Sequence, residues 1–133
     1  MKRRLIDTNL IVRYLVGDHE RHSNIAAALF AACDAGEVTL AILPEVLAEC
    51  VFVLESFYKH PRAAIAAVLT QLLECPGVDI PECAMHMDAL ARYAKHKLHF
   101  VDCVLAASAA AYGIAVASFD TDFKKMPDVK VEI

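Results

Sequence analysis

Arg4-Leu5-Ile6-Asp7-Thr8-Asn9-Leu10-Ile11-Val12-Arg13-Tyr14-Leu15-Val16-Gly17 holds a strand, a turn and a helix in one short run. Arg4–Asp7 reads as a short buried strand that ends in an acid. Thr8 and Asn9 can cap a helix over Leu10–Val16, and Gly17 stops it. The same alternation recurs downstream. A helix over Asn24–Ala35 closes at Gly36, and Val38–Ile42 reads as the second strand. Pro44 suits the first turn of a helix that runs to about Tyr58. Pro61 opens another, which ends before Pro76-Gly77. Val78–Ile80 reads as a third strand, Glu82–Lys97 as an amphipathic helix with Met85, Ala89, Leu90 and Tyr93 inward. Asp102–Tyr112 is apolar nearly all round and should be buried, with Gly113 as its stop. Ile114–Ser118 is the fourth strand and Val129–Ile133 an edge strand. Strands separated by helices predict a parallel sheet with right-handed crossovers. Ligands in such sheets bind beyond the carboxyl ends of the strands, where the strand order reverses.

The chain has 133 residues and a formal net charge of −4, which predicts one domain over residues 1–133 and excludes a global basic field for nucleic acid. It is 58% hydrophobic, as expected of a sheet covered on both faces. Helices Asn24–Cys33 and Glu45–Phe57 look apolar beyond one face, which predicts a homodimer. The five cysteines form no CxxC pair, so they read as buried thiols in a reducing cytoplasm rather than as disulfides or a zinc ribbon. His19/His22 and His96/His99 lack partners at zinc-site spacing. Lys2-Arg3-Arg4 could begin a signal peptide, but Asp7, Asn9 and Arg13 interrupt the apolar run that should follow. The uncharged stretch Cys103–Phe119 contains Gly113 and falls short of the roughly 20 residues needed to span a bilayer. The expectation is a cytoplasmic protein with no membrane partner.

The acids carry the chemistry. Asp7 stands at the carboxyl end of strand one, and Asp120 and Asp122 follow strand four. If those strands are neighbours, the acids meet in the switch-point crevice. A strand-end Asp can equally cap a helix or make an Asx turn, and Asp122 in particular reads as a cap. Glu49 falls on a helical face with Val46, Cys50, Val53, Leu54 and Phe57, so it should be buried against a cation; a salt bridge to Arg13 is the plain alternative. Glu45, one turn earlier, either joins the site or only complements the helix dipole. Asp102 opens the buried helix among Phe100, Val101, Val104 and Leu105, either as a cap or as a ligand held in a dry setting. Hard oxygen ligands gathered without His or Cys suit magnesium or manganese, ions that can activate water and offset charge on a phosphodiester. Arg92, Lys95, His96, Lys97 and His99 lead into Asp102. They form either a phosphate-contacting rim, with Arg92, Lys95 and Lys97 touching RNA, or a solvated helix end suited to the dipole.

Asp7-Thr8-Asn9, Leu47-Ala48-Glu49-Cys50-Val51-Phe52-Val53-Leu54, Phe100-Val101-Asp102-Cys103 and Ser118-Phe119-Asp120-Thr121-Asp122-Phe123 together resemble the PIN-domain ribonucleases, and within them the VapC-type toxins of toxin–antitoxin pairs. The resemblance runs over nearly the whole chain. It implies a three-layer α/β/α sandwich with parallel strands in order 3-2-1-4-5. It implies that Asp7, Glu49, Asp102 and Asp120 bind a metal, with Asp122 accessory and Thr8, Asn9 and Ser118 supporting; many members have Thr where Ser118 stands. It also implies cleavage of single-stranded RNA, dimerisation and inhibition by a small antitoxin protein. Two rival readings are a magnesium-dependent phosphohydrolase and a non-catalytic PIN-like binding or assembly module. The first wants a second Asp two positions after the nucleophilic one, where this chain has Asn9. The second should have lost acids that this chain retains.

Overall fold

The computed structural model describes residues 2–133. It divides into two compact units, the first running through Cys83 and the second from Ala84 to Ile133.

The first unit alternates as expected. It contains β1 (Lys2–Leu5), α1 (Thr8–Val16), α2 (Glu20–Asp34), β2 (Val38–Ala41), α3 (Pro44–Ser56), α4 (Arg62–Glu74) and β3 (Val78–Asp79). β1 pairs with β2 and β2 with β3, both in parallel, so β2 is the middle strand. The register sets Lys2 opposite Val38 and Leu5 opposite Ala41. Two further backbone bonds extend the ladder, Ile6 N–H to the Ala41 carbonyl and Ile42 N–H to the Asp79 carbonyl. Ile6, Ile11, Leu40, Ile42, Leu47, Leu54, Ile65 and Leu69 are buried and make the core of this unit. α1 packs on α2 and α3, and α3 on α4.

The second unit contains nearly all of α5 (Cys83–Lys95), then α6 (Phe100–Tyr112), β4 (Val116–Ala117), a 3₁₀ turn over Thr121–Lys125 and β5 (Val131–Glu132). β4 and β5 pair in parallel. Leu90, Tyr93, Phe100, Cys103, Phe123 and Met126 are buried, and the Tyr93 and Phe100 rings meet edge to face at 6.0 Å. Of the expected order 3-2-1-4-5, the first unit contains 3-2-1 and the second 4-5.

Several expected boundaries move, each for a local reason. β1 starts two residues early, where its ladder with β2 begins at Lys2, and ends two early because Asp7 turns out to cap α1; the strand expected to be buried is exposed along Lys2–Leu5. α2 begins at Glu20, four residues before Asn24, because the His19 side chain accepts a bond from His22 N–H and opens the helix there. Asp102 is not a cap: α6 begins at Phe100, with His99 at the cap position and no side-chain bond closing it. α6 is also not covered all round, since Val101, Leu105 and Tyr112 are exposed. In α5, His86 takes the fully buried place expected of Met85. No helix among the described residues is long and apolar enough to cross a membrane.

Gly77 marks the tightest approach in the first unit. A Cβ there would lie 2.4 Å from Cys33 Sγ and 3.1 Å from the Cys33 carbonyl oxygen. Gly77→Ala should lower stability by about 1–3 kcal/mol, the usual cost of overpacking, seen as a lower urea midpoint. Adding Cys33→Ala should recover part of that loss, because the thiol is the nearer obstacle.

Candidate active site

Asp7 sits at the junction of β1 and α1. Four backbone N–H groups at a helix start have no partner within the helix, and the Asp7 carboxylate answers one of them: Leu10 N–H donates to Oδ1 at 2.9 Å. The cap is therefore Asp7 itself rather than Thr8 or Asn9. A carboxylate accepts several bonds, so Oδ2 stays available on an exposed side chain.

Thr8, inside the first turn, is buried at 6% exposure. Its hydroxyl meets the Cys50 thiol, which stands next to Glu49 on α3, the helix on which α1 packs. Burial pushes the Cys50 thiol up to about 12, and the nearby charges of Glu49 and Asp7 push in the same direction. One thiol thus feels both acids, and the first unit brings Asp7 and Glu49 to the same neighbourhood. Asn9 and Glu45 are exposed nearby on the first turns of α1 and α3.

Glu49 does not have the buried setting expected of it. It is exposed, because the covered face of α3 runs through Leu47, Cys50, Val51 and Leu54 and Glu49 lies to its side. A bridge to Arg13 is also absent: Arg13 donates to Asp18 at 3.2 Å, and Tyr58 donates to the other oxygen of Asp18 at 2.9 Å.

The second unit repeats the capping device. Asp122 N–H donates to Asp120 Oδ1 at 2.9 Å and Asp120 N–H donates to Ser118 Oγ at 3.0 Å. Asp120, not Asp122, is therefore the cap of the 3₁₀ turn. Asp122 instead pairs with Lys125 at 3.0 Å. Ser118 supports Asp120 directly. Asp102 lies in the first turn of α6, partly exposed. Within either unit, among the described residues, no group of three or more His, Cys, Asp or Glu side chains is placed to hold a metal ion. What each unit offers is one or two carboxylates with a spare oxygen, and such hard donors fit a divalent ion of the magnesium class.

Lys95 and Lys97 are exposed as a basic rim requires, but Arg92 is not part of one. Its side chain is only 11% exposed and is spent on Asp88, at 3.1 Å, and on Asp128. Both terminal guanidinium nitrogens, Nη1 and Nη2, reach the Asp128 carboxylate, Nη1 at 2.9 Å. A two-pronged pair of this kind is among the strongest polar contacts. Reading Arg92 in sequence gave only a cation on a helix end; its partner lies far away along the chain. The sequence reading also passed over Lys124, which lines a small cavity with Ser118, Asp120 and Thr121.

The PIN domain model matches residues 4–129. The chain belongs to the PIN domain family. It is also 30% identical, over 124 residues, to a VapC ribonuclease of Aquifex aeolicus (strain VF5), an alignment covering 92% of this chain and 91% of that protein. The α/β architecture, with parallel strands separated by helices, is that of a PIN-like fold. Acids at the ends of PIN-domain strands thus occupy cap positions here, in both units.

Arg92 generates a pH prediction. Its bonds to Asp128 hold that carboxyl below the usual carboxylate range. A lowered carboxylate contributes stability above its unfolded pKa, near 3.9, and loses it as pH falls through the lower folded value. Arg92→Met should cost about 1–2 kcal/mol at neutral pH, since Asp128 is partly exposed and screened. Asp128→Asn should also melt lower at neutral pH, and its deficit should shrink below about pH 4. Urea titrations at neutral pH and near pH 3 check both.

Proposed function

We propose that this PIN-domain protein is a VapC-type, metal-dependent endoribonuclease that cuts RNA phosphodiester bonds. The observation that carries the reading is the paired construction of Asp7 and Asp120. Each is an acid at a strand's carboxyl end with one oxygen pinned by a backbone N–H and the other unspent. The kinship with a VapC ribonuclease over 92% of the chain supports it.

In this reading the hard oxygen ligands are Asp7 and Glu49 of the first unit and Asp102 and Asp120 of the second, and Glu45 and Asp122 add negative charge, each within its own unit. Magnesium or manganese, when bound, supplies a polarised water and offsets the charge that builds on the scissile phosphate. The protein's part is to hold its acids still. Leu10 N–H fixes the Asp7 carboxylate, Ser118 fixes the Asp120 backbone, and the packing of α1 on α3 holds Glu49's helix against Asp7's. Exposed Phe52 on α3 and Phe57 directly after it support a homodimer. By kinship the controlling partner is a small antitoxin protein.

Asp7→Asn and Asp102→Asn should each abolish cleavage of single-stranded RNA in magnesium or manganese. The loss should exceed the ~10–100-fold typical of an outer-shell partner, because Asn lacks the charge that holds a hard ion. Melting curves of the metal-free proteins separate chemistry from folding. Asp7→Asn keeps a capping oxygen and should melt like the parent, whereas Asp7→Ala should lose about 1 kcal/mol. Undiminished cleavage by the Asn variants, or by the parent in chelator, would overturn the metal-nuclease reading.

A further inference from the structure

Phe119 and Phe123 lie four residues apart in one turn and have opposite fates. Phe123 is 1% exposed and sits in the core of the second unit, whereas Phe119 is 88% exposed. No other large apolar side chain among the described residues is so open. A lone exposed hydrophobe is ordinary, but the position of this one is not. It stands between Ser118 and Asp120, and the bonds from Asp120 N–H to Ser118 and from Asp122 N–H to Asp120 pin the backbone on its carboxyl side. The ring is therefore carried on a held turn. It lines a cavity of about 160 Å³ together with Ser118, Asp120, Thr121, Lys124 and Ile133. An aromatic face, a free-standing amine and a carboxylate thus share one small concavity.

An unpaired nucleobase has two apolar faces, and proteins hold such bases by stacking them on aromatic rings. A base in a duplex has no free face to give. Stacking is also indifferent to the negative charge of Asp120 and Asp122, which would repel phosphate. Lys124, exposed on the same turn, can meet a phosphate of the strand with its amine. We propose that Phe119 is a stacking platform that seats one unpaired base of single-stranded RNA beside Asp120, with Lys124 on the backbone of that strand. The proposal rests on the ribonuclease reading and adds to it the means by which unpaired RNA is chosen over paired.

The test measures fluorescence anisotropy of a labelled single-stranded oligoribonucleotide with the full chain in chelator, where it stays intact, and steady-state cleavage in magnesium. Phe119→Ala should weaken binding roughly 5- to 140-fold, the range for losing one stacked base, and should raise KM more than it lowers kcat. Phe119→Leu keeps apolar bulk without an aromatic face and should behave like Ala; Phe119→Trp should bind as tightly as the parent. A single abasic site moved along the oligonucleotide should, at one position, weaken the parent to the level of Phe119→Ala while leaving that variant unchanged. Lys124→Gln should weaken binding and flatten its salt dependence. If the parent cleaves RNA and Phe119→Ala or Phe119→Leu binds and cleaves equally well, the platform is refuted and the ribonuclease reading stands. If the parent neither binds nor cleaves any RNA, the ribonuclease reading fails and the platform with it. If Phe119→Ala changes only the sedimenting mass, the ring is a protein–protein contact and the proposal is wrong.

Discussion

The bond from Leu10 N–H to Asp7 Oδ1 joins a structural need to a chemical one. A helix that follows directly on a strand has N–H groups to satisfy, and a side-chain oxygen at the junction is the local remedy. An Asp there gives one oxygen to the backbone and keeps a second, together with a full negative charge. Ser, Thr or Asn would serve the helix as well, but none would offer the charge. The same division of labour recurs at Asp120, where a 3₁₀ turn replaces the helix. β1 delivers Asp7 to its junction because the ladder to β2 runs on through Ile6. The acid's position is therefore a result of the sheet's register.

The alternation of strands and helices was legible because each has its own period and punctuation. Gly17 and Gly113 end their helices in left-handed conformation, at φ 70° and 67°, as their places in the sequence suggest. Pro44 stands in the first turn of α3 for an equally local reason. Exposure was harder to read. Val46 and Val53 suggested a covered face for Glu49, yet that face is set by what α3 packs against, which periodicity does not contain. The stripe that is covered turned out to be centred on Cys50 and Leu54, and Glu49 stands beside it. The choice of cap at Asp7 and Asp120 was also open in sequence. Asp, Thr and Asn all make good caps, and three stand in a row at residues 7–9. Only the geometry of the turn decides among them.

Thr8 and Cys50 show a contact that sequence had no means to announce. Thr8 reads in sequence as a cap and a support for the acids, and Cys50 as an ordinary thiol in an apolar run; neither reading points to the other residue. α1 packs on α3, and the Cys50 thiol senses Thr8, Glu49 and Asp7 together. Cys50 is fully buried, so the thiol's value is in its size and its single polar bond rather than in reactivity; burial keeps it protonated at any ordinary pH.

The Arg92–Asp128 pair spans 36 residues, and that has a consequence for a chain made from one end to the other. While α5 emerges from the ribosome, its guanidinium has only Asp88 of its own helix for company. The partner that completes the pairing is not yet polymerised. At about 5–20 residues per second, several seconds pass before Asp128 exists. The stretch bearing Asp120 is made in that same interval, so the nascent protein carries the last of the four acids proposed to bind metal before the clasp that steadies the following segment has closed.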